Sequence, residues 1–301
     1  MKMRMARAVT TAFIASFGAA TLAGAGASHA QQAMTPQTQA EVLVGVEAQT
    51  REDEIDDLRR YVSETTTTTT LADGRSHERH NRQQFDLQTI AVTANGLLIR
   101  FTLREAEAQD VEQPWLGSLI GAWKDVPLEV ATNRAGTPQR IVNWPRARDA
   151  YTEALARLAP DYTEETTGVV NALNAMEEGP RASAVVADLL LLSTAQPRGP
   201  VREGRIEAPV ETVALSPSAS VAVTRFAEFR QGDATACIAQ FSSGTTMTAA
   251  SRNASNTEAL QSPLSTYDGW VIDLEQTSET IAPAGRMLKV VTLRRDAPGC
   301  S

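Results

Sequence analysis

The apolar positions of the chain change period several times, and each change marks an element. From Tyr61 onward the pattern is extended. Six consecutive threonines, Thr65 to Thr70, follow, and their β-branched side chains suit a pleated, half-wet strand better than a helix. With both faces chemically alike, the register of that strand is weakly specified. Residues 85–92 and 97–107 flank Thr93-Ala94-Asn95-Gly96, and Asn-Gly between two apolar runs predicts a β-hairpin. In the second run Leu97, Ile99, Phe101 and Leu103 alternate with Leu98, Arg100, Thr102 and Arg104, so one face is expected to be buried and the other wet.

Pro114 then opens a short helical stretch in which Trp115, Leu116, Leu119, Ile120 and Trp123 recur near helical spacing. A second hairpin is expected around residues 134–138. Pro145 sits where a first helical residue would, with Ala147, Tyr151, Ala154, Leu155 and Leu158 on one face. Asp161 and Glu164 have the spacing of a capping box for a further helix carrying Val169, Val170, Leu173 and Met176. Gly179-Pro180 ends that helix, and Pro180 begins a third with Val185, Val186, Leu189 and Leu192. Residues 193–209 are rich in Pro and Gly and read as a connector. Strands return at 221–230, 234–241, 266–281 and 286–295, with 251–262 read as a polar loop and Trp270, Ile272 and Leu274 sharing a face.

Strands, helices and strands again, joined by hairpins, predict an α+β protein: a curved antiparallel β-sheet, half-barrel-like, with a central helical block at about 114–123 and 145–193 covering one face. The expected organisation is a signal peptide at 1–30, a flexible segment at 31–55 and a single β-rich domain at 56–301. The alternative is a boundary near 195–209.

Composition changes the picture mainly at the start of the chain. Lys2, Arg4 and Arg7 precede an uncharged small-to-apolar run over residues 8–27, and Ser28-His29-Ala30 supplies small residues for cleavage after Ala30. The expectation is a periplasmic protein with no transmembrane segment in its mature part, and the lack of a cysteine near the cleavage point speaks against a lipid anchor. The whole chain has 28 Lys+Arg and 36 Asp+Glu; losing the three basic residues of the leader leaves 25 basic side chains and a balance of −11. Nucleic acid is therefore not an expected partner, because phosphate recognition needs clustered Lys and Arg. Cys237 and Cys300, an even pair in an exported chain, are expected to form a disulfide worth about 4 kcal/mol in the chain-entropy model.

Candidate chemistry is sparse. Glu52, Asp53, Glu54, Asp56 and Asp57 lack the Gly and terminal Glu of a calcium loop and read as a solvated face. His77 and His80 fall on an expected strand, where odd separation sends the two rings to opposite faces; no metal site is expected there. G-x-S-x-G, Walker and G-x-G-x-x-G motifs are absent, so no cofactor and no catalytic residue is assigned. An enzyme is the less favoured class, and a hydrolase would have to use His77 or His80.

The layout from Tyr61 to Arg295, with a Trp-bearing helix after the first hairpins, Asn133-Arg134-Ala135-Gly136-Thr137-Pro138 as a mid-chain hairpin turn and a strand-rich end, resembles uncharacterised bacterial envelope proteins related to the lipoprotein-localisation-factor half-barrels. The resemblance implies a cavity beneath helices that carries acyl chains or lipidated proteins. On this reading Trp115, Leu119, Trp123, Phe101 and Leu103 are candidate ligand-lining residues, and the expected partner is a lipid or an envelope protein. The alternative is a structural or protein-interaction module of the cell envelope.

Overall fold

In the computed structural model the described residues are 53–109, 115–134, 136–195, 204–216, 219–231, 238–249, 254–265 and 268–295. The expected signal peptide, most of the expected flexible segment, and Cys237 and Cys300 lie outside them.

The fold is α+β, with a large antiparallel sheet. Its strands are β1 (Leu58–Leu71), β2 (Ser76–Thr93), β3 (Gly96–Gln109), β4 (Leu128–Thr132), β5 (Pro138–Ile141), β6 (Gly204–Ser216), β7 (Ala219–Gln231), β8 (Ile238–Ala249), β9 (Ala254–Ser265), β10 (Asp273–Ala282) and β11 (Gly285–Arg295). The helices are α1 (Leu116–Gly121), α2 (Trp144–Leu158), α3 (Thr163–Ala175), α4 (Glu178–Val185) and α5 (Ala187–Ala195), with a 3₁₀ turn at Pro160–Tyr162. Among the described residues the strand order is β5-β4-β3-β2-β1-β11-β10-β9-β8-β7-β6, so β5 and β6 are the edges. No helix among these residues is long and apolar enough to cross a membrane. The chain divides into two compact units. The first comprises Asp53–Val62 and Asn81–Leu191, and the second comprises Ser63–His80 and the chain from Leu192 onward.

In the first unit, helices cover the β3, β4 and β5 region: α1 packs on β3, and α4 packs on β5. The β3 stripe read from the sequence is buried as expected, with Leu97, Ile99, Phe101 and Leu103 all inside. Fully burying each such side chain contributes about 1.5–3 kcal/mol, so this stripe dominates the local energetics. Gly96 makes the preceding turn possible for two reasons. Its φ is 151°, and a Cβ there would stand 2.1 Å from the Thr132 carbonyl oxygen. In α2, Pro145 occupies the first turn, Trp144, Ala147, Tyr151, Ala154 and Leu155 form the buried stripe, and Arg157 lies in the last turn, where the helix dipole favours a cation.

Five local expectations are corrected. Asp53 and Asp57 are not a solvated face: both bind the buried Arg59 guanidinium, at 2.9 and 3.2 Å, because a buried arginine needs carboxylate partners. The Asp161/Glu164 capping box does not form; the 3₁₀ turn intervenes, α3 begins at Thr163, and its N-cap position has no side-chain cap. Residues 204–209, read as connector, begin β6, and residues 254–262, read as loop, belong to β9. Pro209 is tolerated because β6 is an edge strand whose register shifts between Ala208 and Glu211. Trp270 and Ile272 precede β10, so they do not share a strand face with Leu274.

Candidate functional site

The five residues singled out as lining sit together in the first unit. Phe101 and Leu103 lie on β3, Leu119 on α1, and Trp115 and Trp123 flank that helix; all five are buried. The Trp123 ring stacks on Tyr151 with centroids 3.9 Å apart and planes 10° from parallel, Phe101 stacks on Phe85 at 4.9 Å, and Trp115 stacks on Tyr162 at 6.0 Å. Trp144 adds its ring 6.3 Å from Trp123, its indole N–H donates to Asn174 Oδ1, and the Arg181 guanidinium lies 4.8 Å above it. Much of the aromatic surface in this layer is thus in contact with other rings. Burial keeps the Tyr151 phenol far above its ordinary pKa, hence neutral, and its hydroxyl has no hydrogen-bond partner among the described residues.

The other side of the first unit's strands is electrostatic. Asp86, whose side chain is 5% exposed, accepts two bonds from Arg60 (2.7 and 3.0 Å) and one from Arg104 (2.9 Å). The Arg60 hydrogen bond is the main cause that holds its carboxyl below the usual range, and the Arg104 bond adds to it. Arg104 also reaches Asp125 at 3.2 Å. The part of β2 that belongs to the second unit carries His77 and His80, in strand conformation; Arg79 Nε donates to His77 Nε2, and His80 Nδ1 is 3.3 Å from Thr66 Oγ1.

The second unit holds a different arrangement. Its strands β6 to β11 pair with their sequence neighbours, and every described buried position on β7 to β11 falls on one face. These are Val221, Val223 and Phe229 on β7, Ala239 and Phe241 on β8, Leu260 and Ser262 on β9, Leu274 and Ser278 on β10, and Val291 and Leu293 on β11. The opposite face carries Thr224, Thr246, Thr257, Glu275 and Arg294. Apart from the last turn of α5, no described helix belongs to this unit.

Register resolves the buried face into rows. One row is Ala227, Ser243, Leu260, Gln276 and Val291. The next is Arg225, Thr245, Glu258, Ser278 and Lys289, and the one after is Val223, Met247, Asn256, Thr280 and Met287. Successive rows are about 6.8 Å apart and neighbouring strands about 4.8 Å, so Glu258 stands roughly 10 Å from Arg225 and from Lys289 at the backbone. Arg225 is bridged to Glu211 at 2.8 Å. Glu258 accepts from Gln276 Nε2, and burial pushes its carboxyl above the ordinary value against the opposing Lys289 charge and that hydrogen bond. Asn256 donates to Thr280 at 2.9 Å. A polar row with a half-buried acid therefore crosses this face, and polar residues, Ser243 and Gln276 on one side and Asn256 and Thr280 on the other, also stand in the rows beside it. At one end of the unit, Arg295 and Asp268 form a buried pair at 2.7 Å, and Arg295 also donates to the Val271 and Trp270 carbonyls, fixing the loop that buries Trp270.

Sequence reading missed this row. Its members come from five strands, far apart in the chain, and only strand register brings them together. The available signal was faint: Lys289 is one of only three lysines in the chain, and it lies in an apolar strand.

No protein-family model and no curated protein matches the chain. Among solved structures the chain is similar to one titled "Lipid-protein interactions in lipovitellin", with a TM-score of 0.39 and 10% sequence identity. The match covers 82% of this chain and 26% of that one, so the chain spans about a quarter of its length.

Proposed function

We propose that the protein binds an amphiphile of the lipid class in the periplasm, on the buried face of β7 to β11, and serves as its carrier. The observation that supports this reading is the row structure of that face. Val223, Met247 and Met287 on one side, and Leu260 and Val291 on the other, flank the polar row containing Glu258 and Lys289. Each flanking row is mixed, with three apolar members of five, and these apolar positions on either side of a polar row suit a molecule with a hydrocarbon tail and one polar end. Methionines at such a surface adapt to tails of differing shape. In this reading the stacked aromatics of the first unit form a fixed interior.

The test is mass spectrometry of organic extracts of the purified full chain, paired with titration of a fluorescent acyl probe. A co-purifying lipid and saturable probe binding, weakened about tenfold by Met247→Asp, is the expected result; tenfold corresponds to about 1.4 kcal/mol. Repeated absence of lipid together with no saturable binding would overturn the proposal.

One observation favours a second reading, a protein-interaction module of the envelope. The short edge β5 is packed by α4, whereas β6 is a 13-residue edge strand with Val210 exposed. Crosslinking in cells that captures one protein partner through β6, with the purified chain free of lipid, would select it.

A further inference from the structure

We infer that Asn95 is a self-modification site: the Gly96 backbone nitrogen displaces ammonia from its carboxamide and converts the turn between β2 and β3 into aspartate and isoaspartate forms. The inference is independent of the ligand reading above.

The chain has three Asn-Gly or Asp-Gly steps, Asp73-Gly74, Asn95-Gly96 and Asp268-Gly269. At such a step the side-chain carbonyl is open to attack by the next backbone nitrogen, because glycine puts no side chain beside that nitrogen and lets the backbone rotate into reach. The structure latches two of them. Asp73 Oδ1 accepts from the Arg75 backbone N–H at 3.0 Å, its Oδ2 accepts from Arg75 Nε at 2.8 Å, and the Gly74 N–H is itself engaged by the Leu71 carbonyl at 2.9 Å. Buried Asp268 accepts from the Trp270 N–H at 3.0 Å and from Arg295 Nη2 at 2.7 Å. Asn95 differs. It is exposed, its backbone N–H donates to Thr93 Oγ1 at 3.3 Å, and its carboxamide makes no hydrogen bond among the described residues. The carboxamides of Asn133, Asn143, Asn174 and Asn256 are all hydrogen-bonded, and none of these residues precedes glycine.

The step balances without a redox partner. The Gly96 nitrogen gives up its proton and bonds to Asn95 Cγ, the Cγ–Nδ2 bond breaks, ammonia leaves and an imide ring closes. Water then adds to one of the two imide carbonyls. Addition at Cγ breaks its bond to the Gly96 nitrogen and leaves aspartate; addition at the main-chain carbonyl breaks the original peptide bond and leaves isoaspartate, with the main chain routed through Cβ and Cγ. One water enters for each ammonia lost.

The turn tolerates the two products differently. Aspartate before glycine suits a hairpin as asparagine does, and the Arg134 guanidinium, which donates to the Ala94 carbonyl of the same turn, supplies a neighbouring cation. Isoaspartate lengthens the main chain directly ahead of Gly96, which lies so close to β4 that a Cβ there would stand 2.1 Å from the Thr132 carbonyl oxygen. The next residue, Leu97, donates its N–H to Thr132 Oγ1 at 3.1 Å. The rerouted main chain therefore loosens the hairpin against β4.

The experiment is to hold the full chain folded in warm, mildly alkaline buffer and map its peptides by mass spectrometry, with electron-transfer fragmentation to tell isoaspartate from aspartate. Asn95 is expected to convert at least about tenfold faster than any other asparagine or either Asp-Gly step, a barrier lower by about 1.4 kcal/mol, and faster still as pH rises, because the attacking nitrogen must lose its proton. Asn95→Gln should abolish the conversion. Conversion led by another asparagine, a mass gain that persists in Asn95→Gln, or an Asn95 that stays intact in the folded chain over a period that converts it in urea, would overturn the inference. Asn95→Asp should unfold at the wild-type urea midpoint, and the isoaspartate form, separated by chromatography, at a lower one. An Asn95→Asp midpoint lowered as far as that of the isoaspartate form would overturn the claim that the rerouted main chain, rather than the new charge, loosens the hairpin.

Discussion

Tyr151→Phe offers a sharp probe of the aromatic layer in the first unit. The Tyr151 ring is fully buried and lies flat on Trp123 at 3.9 Å, while its hydroxyl has no described partner. Phenylalanine keeps the ring stack and removes the oxygen. An unsatisfied buried hydroxyl costs about 1–3 kcal/mol, so the substitution is expected to stabilise the unit by about 1 kcal/mol. For a unit of this size that is a rise in Tm of roughly 3–6 °C. Tyr151→Leu, by contrast, loses the stack and leaves space behind, and should cost about 2–4 kcal/mol. Intrinsic fluorescence is a suitable signal, because three of the four tryptophans, Trp115, Trp123 and Trp144, belong to the first unit and only Trp270 to the second. Thermal and urea melts of both variants supply the comparison. If Tyr151→Phe instead destabilises by more than about 1 kcal/mol, the hydroxyl has a partner inside the layer, and the idea of a closed, ring-filled interior is wrong.

Other expectations follow from individual contacts. Asp86→Asn should cost about 1–3 kcal/mol at neutral pH, since it removes the charge from hydrogen bonds to Arg60 and Arg104. Because the Asp86 pKa is lowered in the fold, its contribution is fully present above the ordinary carboxylate range of about 4 and is lost as pH falls through the depressed value. The stability gap between wild type and variant should therefore close in acid, and a gap that widens there would refute the assignment. Gly96→Ala should cost more than about 2 kcal/mol in urea denaturation, from positive φ and from the collision with the Thr132 and Asn133 backbone. Arg295→Met leaves Asp268 charged and buried, and should cost about 3–5 kcal/mol, with a shift in Trp270 emission.

What could be read from the sequence was what local pattern encodes. The Asn95-Gly96 hairpin, the buried stripe Leu97 to Leu103 and the helices around Tyr151 and Leu173 each carry their own periodicity, so they were legible residue by residue. Strands β6 and β9 were not, because their sequences are polar and contain Pro209 and Pro263; they are strands because their neighbours offer ladders to pair with. The same limit explains the acidic patch. Nothing local says that Arg59 will be buried, yet once it is, Asp53 and Asp57 must turn toward it. Trp115 and Trp123 show the limit for a site: an apolar stripe has one spacing whether it packs against rings or against a ligand. The polar row lies entirely on the non-local side, since Thr245, Glu258, Ser278 and Lys289 meet only through register.

The most direct measurement is photocrosslinking of a diazirine-bearing fatty acid to the full chain, followed by peptide mapping of the adducts. Adducts concentrated around Val223, Met247, Leu260 and Met287, and displaced by excess oleate, are the predicted result. Adducts confined to the region from Trp115 to Tyr162, or no adduct that excess oleate displaces, would contradict the claim that the sheet of the second unit holds the ligand.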